Sequence, residues 1–132
     1  MTSEAGGTLR LVTGSVYQLP DEAYPRLLVM RRWPRGIAKG AVDQWERELA
    51  PSNELLEGYR ANSVPWDEFE SAYRAQLAAR PELLDWVLRM ASTTGVVLLC
   101  STHDPCHRDV LAAMVRDRAP AANGSEVRPP GG

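Results

Sequence analysis

Lysine is almost absent from this chain: of fifteen cationic side chains only Lys39 is lysine, and the others are arginine. A basic excess is absent too. Seventeen acidic residues face those fifteen basic ones, for a formal net charge of −2. Generic DNA or membrane-surface binding, which needs a strong positive surplus, is therefore not expected. No stretch approaches the roughly 18 apolar residues that span a bilayer. The opening MTSEAGGTLR lacks the charged-then-apolar layout of a secretory signal. Two cysteines are too few for a disulfide framework, so the reducing cytoplasm is the expected compartment.

What is present is ordinary for a soluble domain: 132 residues, 44% hydrophobic and 24% charged, enough for one modest core and no second lobe. There is no internal repeat. Residues 1–7 are small and polar, and 120–132 are rich in Pro, Gly, Ala and Asn, so both ends are expected to be flexible. A single folded domain over 8–119 remains.

Within it, Thr8 to Val12 and Ser15 to Leu19 read as extended pieces, one strand interrupted at Gly14. Leu27 to Arg31 and Val96 to Cys100 are short apolar runs bounded by turn residues, the pattern of strands covered on both faces. Helices fill the middle. Val42, Trp45 and Leu49 keep helical spacing up to Pro51. Ser52 suits a cap before Leu55, Leu56 and Tyr59. Phe69, Tyr73 and Leu77 follow Pro65, and Leu83, Leu84, Val87 and Leu88 follow Pro81. Asp104-Pro105 reads as cap and first turn of a last helix burying Val110, Leu111, Met114 and Val115. The predicted fold is α/β: a small, largely parallel, Rossmann-like sheet with helices packed on it. Leu28, Val97 and Leu99 are expected in the sheet core, with Phe69, Leu84 and Leu111 packing on them.

Ligands of such sheets bind beyond the carboxyl ends of the strands. Two segments of unusual composition fall there. Arg31-Arg32-Trp33-Pro34-Arg35-Gly36-Ile37-Ala38-Lys39 gathers four cations in nine residues. Arginine forks match phosphate or carboxylate oxygens, whereas a bland reading pairs them with Glu46 or Glu48 on a solvated loop. The second segment runs from Cys100 through His103 to Cys106-His107-Arg108, with Cys106 and His107 in the first turn of the last helix. Helix-start N–H groups bind anions and favour a thiolate.

Several chemistries fit this second segment. Cys106 can be a nucleophile with His107 or His103 as base. Cys100, His103, Cys106 and His107 are all zinc ligands by type, but they crowd one strand-to-helix turn, so a metal site there stands as the weaker alternative and none is assigned. A redox pair lacks the usual Cys-x-x-Cys spacing. A buried structural role suits Cys100. The preferred reading is an anion site.

The residues Arg31, Trp-Pro-Arg-Gly-Ile at 33–37 and Lys39 resemble the signature of the YeaO-like proteins, within the domain of unknown function 488 family. The resemblance extends through Asp43-Gln44-Trp45, Trp66-Asp67-Glu68-Phe69 and Tyr73-Arg74-Ala75-Gln76-Leu77 to Cys106-His107-Arg108, a mark of the wider family. Met30 stands where YeaO-like members commonly carry Asp. The Cys-His-Arg mark, often missing from that branch, is kept here. The resemblance implies a compact α/β domain of bacterial type with one shared site and no assigned activity or cofactor. It favours a pocket in which Arg31, Arg35, Lys39, Ser52 and Arg108 hold a small anion, a phosphate-bearing nucleotide or sugar. His107 then acts as acid–base or positioning group and Cys106 as nucleophile or wall. The alternative is a non-catalytic module that senses an acidic peptide or a nucleic-acid end.

Overall fold

A computed structural model describes residues 9–101 and 106–119. The terminal segments 1–7 and 120–132, His103 and the pair Asp104-Pro105 lie outside the described residues. The strands are β1 (Leu11–Ser15), β2 (Arg26–Leu28), β3 (Gln44–Trp45) and β4 (Val96–Cys100). The helices are α1 (Asn53–Arg60), α2 (Trp66–Ala78), α3 (Pro81–Ser92) and α4 (His107–Arg118). The four strands form one parallel sheet in the order β1-β4-β2-β3. This is the α/β architecture expected from the pattern of elements.

β4 is central. Val-Val-Leu-Leu-Cys is buried at all five positions, pairing Val96 to Cys100 with Leu11 to Ser15 on one edge and Val97 to Leu99 with Arg26 to Leu28 on the other. Its side chains alternate between two distinct cores. Val96 and Leu98, with Leu27 and Val29, meet the helix layer of Tyr73, Leu77, Leu84, Val87, Leu111 and Val115. Val97, Leu99 and Leu28 pack on the opposite face, against Val12, Leu19, Tyr24, Met30, Trp33, Ile37 and Val42.

Among the described residues that second face carries no α-helix, only a short 3-10 turn at Lys39–Ala41 in the β2–β3 crossover. Parallel strands need crossover connections, and the β1–β2 and β2–β3 crossovers supply its cover as irregular chain. Leu28, Val97 and Leu99 are buried as expected, but against loops, while Leu84 and Leu111 serve the other core. The basic segment is thus a structural lid over half the sheet. Trp33 Nε1 donates to the Ile37 carbonyl at 2.7 Å, closing a turn in which Gly36 adopts φ +80°. The Trp33 ring meets Trp45 edge-on at 5.3 Å, and Trp45 Nε1 donates to the Met30 carbonyl.

Three local expectations differ from the structure. The Val42–Leu49 segment is β3 followed by a short 3-10 turn, Arg47–Leu49, and not a helix. Asp43 exchanges bonds with the Arg26 backbone, and Glu46 N–H reaches the Leu28 carbonyl, so sheet pairing overrides the helical spacing. β1 runs straight through Gly14, where the Pro20 ring fills the space a side chain would need, and then turns back at Gln18. α4 starts at His107 with Cys106 in the N-cap position and no capping bond from its side chain, while the expected cap pair Asp104-Pro105 lies outside the described residues. Ser52 does cap α1, accepting from Leu55 N–H at 3.2 Å, and Pro81 opens α3.

Leu98→Ala and Leu99→Ala, one in each core, are each expected to cost about 2–5 kcal/mol. Urea titration checks this. An unmoved midpoint for Leu99→Ala would mean that the loop-covered face is not a packed core.

Candidate functional site

A cavity of about 170 Å³ opens at the carboxyl ends of β2 and β4, between α1, α2 and the start of α4. No helix among the described residues is long and apolar enough to cross a membrane.

The floor is Cys100, the last residue of β4, with Cys106 and His107 at the start of α4. All three are buried, at 2%, 3% and 9% exposure. The two sulfurs lie 2.6 Å apart. His107 Nδ1 stands 3.9 Å from Cys100 Sγ and 3.8 Å from Cys106 Sγ. On its other side, His107 Nε2 is 2.5 Å from the Val29 carbonyl. A carbonyl can only accept, so Nε2 carries a proton, and Nδ1 is the nitrogen that faces the sulfurs.

The ring is held edge-on against Tyr73 at 5.7 Å. The Tyr73 hydroxyl donates to the Leu49 carbonyl. Burial pushes that phenol well above its usual range; Cys106 and Cys100 push it further, and Arg31 opposes them.

One wall is aromatic. Phe69 stacks on Trp66 at 5.3 Å and lies 4.7 Å from Tyr59. The cations are Arg31, Arg32 and Arg60, with Glu57 the carboxylate among the lining residues. Arg31 is mostly engaged in structure: Nε donates to the Pro51 carbonyl at 3.2 Å, Nη2 to the Ala50 carbonyl at 3.0 Å, and Nη1 pairs with Glu48 at 3.3 Å. Gln76 holds the same corner, donating to the Ala50 carbonyl and accepting from Ser52 N–H. Arg32 and Arg60 are solvent-exposed.

Of the residues singled out in the sequence, the structure thus brings together Arg31, Cys100, Cys106 and His107. Ser52 lines a neighbouring groove with Arg31, Glu48 and Arg80, its hydroxyl engaged as the α1 cap. Arg35 and Lys39 are exposed on the crossover loop and are not among the cavity-lining residues. The Arg35 backbone carbonyl accepts from the Tyr17 hydroxyl at 2.7 Å. Arg108 is also outside the lining and is buried at 8% exposure, its Nε 3.6 Å from Asp109. His103 lies outside the described residues.

Sequence reasoning missed Arg60 and the aromatic wall. Their signal was present: Leu56, Tyr59 and Arg60 share one region of α1, four residues apart or fewer, but the aromatics read as ordinary core.

Cys100, Cys106 and His107 are also the residues that could hold a metal, their donor atoms lying within 4.8 Å of one another. Tetrahedral zinc at about 2.3 Å from each thiolate needs sulfurs roughly 3.7 Å apart. The observed 2.6 Å is far shorter, and also inside the ordinary contact distance of two thiols, so the pair stands nearer to a disulfide than to an ion cradle.

Comparison with known proteins follows this geometry. A family model described as "Inactive DUF488-N3 subclade" matches residues 10–130. The chain is 35% identical over 95 residues to the uncharacterized protein YeaO of Escherichia coli (strain K12), covering 69% of this chain and 83% of that one. It is 43% identical over 103 residues to the uncharacterized protein Rv3073c of Mycobacterium tuberculosis (strain ATCC 25618 / H37Rv), covering 75% and 86%. The same values hold for the uncharacterized protein Mb3100c of Mycobacterium bovis. No solved structure matches. With nearly the whole described chain inside the match, this protein belongs to the DUF488 family, in the subclade described as inactive.

Proposed function

We propose that this protein binds a small anion, a phosphate-bearing nucleotide or sugar, in the cavity beside β2 and β4, and holds it without transforming it. The observation that carries this reading is the pairing of two exposed arginines, Arg32 and Arg60, with an aromatic wall around one concave site. Guanidinium forks take phosphate oxygens bidentately, and Tyr59, Trp66 and Phe69 offer an apolar surface for a sugar or a base.

The volume, about 170 Å³, is below the roughly 300 Å³ at which drug-sized pockets begin. A sugar phosphate enters whole under this reading, whereas a nucleotide leaves its base toward solvent. A concave site of this size favours a small ligand over an acidic peptide or a nucleic-acid end. The word "inactive" in the description of the subclade supports holding over turnover. We infer a cytoplasmic location, where two buried thiols outside any disulfide stay reduced.

A thermal-shift screen of the full chain with sugar phosphates and nucleotides tests the reading. Ligand at about 100 times its dissociation constant adds roughly 2.7 kcal/mol. Arg32→Ala and Arg60→Ala should abolish the shift without lowering the ligand-free Tm, and Arg35→Ala and Lys39→Ala should retain it. Stabilisation by long polyanions alone, erased by salt, would overturn the small-ligand reading.

Arg31→Ala should behave differently from its neighbours. It takes the Arg31 donor from the Pro51 carbonyl and leaves the Ala50 carbonyl to Gln76, so a loss of about 1–3 kcal/mol is expected in urea titration without any ligand. Wild-type stability in this variant would mean that Arg31 is a ligand group and not a brace.

A further inference from the structure

We propose that Cys100 and Cys106 form a redox-active dithiol that reacts with low-molecular-weight disulfides reaching it through the cavity. The proposal does not rest on the anion-binding reading. It rests on three features of the floor: the sulfurs touch, an imidazole nitrogen faces both, and both line the same cavity.

Closing 2.6 Å to the roughly 2.05 Å of a disulfide takes about half an ångström, within reach of a small side-chain rotation. Opening the same pair around zinc takes about twice that movement in the other direction. Two cysteines serving as mere small hydrophobes would want apolar surroundings. Here His107 Nδ1 stands at nearly equal distances from both, and its tautomer is fixed by the Val29 carbonyl.

The roles follow from position. Cys106 stands at the N-cap position of a helix of twelve residues, where the positive end of the helix favours a thiolate. His107 Nδ1 takes the Cys106 thiol proton, and the thiolate attacks one sulfur of a disulfide R–S–S–R. The S–S bond of the reagent breaks, a Cys106–S–R mixed disulfide forms, and the departing thiolate recovers the proton from His107 as R–SH. Cys100 then gives its proton to the same nitrogen and attacks the Cys106 sulfur. The S–S bond between Cys106 Sγ and the sulfur of R–S breaks, the Cys100–Cys106 disulfide forms, and the second R–S⁻ leaves as R–SH with that proton. Two electrons pass from the cysteine pair to the reagent, which is reduced to two thiols.

Once formed, the bond ties the end of β4 to the start of α4. It also removes both thiols from the floor of the cavity. Reverse exchange with a small thiol restores the dithiol by the same steps.

The test incubates the folded full chain with oxidised glutathione, unfolds it, alkylates it, and reads intact and peptide masses. The expected product has lost two hydrogens, takes up no alkylating reagent, yields a Cys100–Cys106 linked peptide, and returns to the dithiol with dithiothreitol. Cys100→Ser should stop at a glutathione adduct on Cys106, and Cys106→Ser should react at least about tenfold more slowly. Near-UV circular dichroism shows that each variant is folded, and the wild-type result decides the matter without them. Full alkylation of both cysteines after exposure, or links between chains alone, overturns the proposal. So does a stoichiometric zinc ion in the fresh native mass that keeps both thiols from reacting.

Discussion

β4 is hydrogen-bonded on both edges and covered on both faces, and the rest of the molecule hangs from that constraint. Its backbone groups are satisfied only while β1 and β2 stay parallel and in register. Its side chains serve two cores that share no residue. A strand so confined cannot slip by one position without moving each side chain to the wrong core. Its last residue is therefore delivered to a fixed point, and that residue is Cys100. Cys106 and His107, at the start of α4, stand beside that strand end. The floor of the cavity is in this sense a consequence of sheet register.

The two faces of the sheet are held by different means. Helices cover one side with regular apolar stripes. The other is sealed by crossover loops, in which each indole of the Trp33–Trp45 pair donates to a backbone carbonyl. This divides the arginines of the basic segment. Arg31 emerges at the strand end and braces the Ala50-Pro51 corner, Arg32 reaches the cavity, and Arg35 lies exposed within the indole-closed turn. Four cations close in sequence thus have separate surroundings.

That division explains what could and could not be read beforehand. Val96 to Cys100, the Ser52 cap and Pro81 at the head of α3 were legible because each rests on local chemistry: an unbroken apolar run, a hydroxyl before a helix, a proline at its first position. β3 was not. It has two residues, and its pairing with Leu27 and Leu28 depends on partners distant in sequence, while Val42, Trp45 and Leu49 imitate a helix. The start of α4 at His107 was missed for a related reason, since Asp104-Pro105 is the better local signal. In the site, the gathering of Arg31, Cys106 and His107 followed from strand ends, but choosing Arg32 over Arg35 required the geometry of a turn. The aromatic wall was hidden because Phe69 and Tyr73 are spaced as any core stripe is.

The site joins a stiff floor to an adaptable rim, and the two parts have different physical duties. His107 is fixed at Nε2 by Val29, its ring lies against Tyr73, and Tyr73 is anchored to Leu49, so β2, α2 and α4 meet at one imidazole. Groups held this firmly impose shape and proton position on whatever enters, because moving them would strain three elements together. Arg32 and Arg60 are exposed, long and rotamer-rich. They can swing over some distance but lose side-chain entropy wherever they are held. Their field at the rim is therefore general and sensitive to salt. Shape is set at the floor, where two thiols and an imidazole stand side by side at the carboxyl ends of the strands.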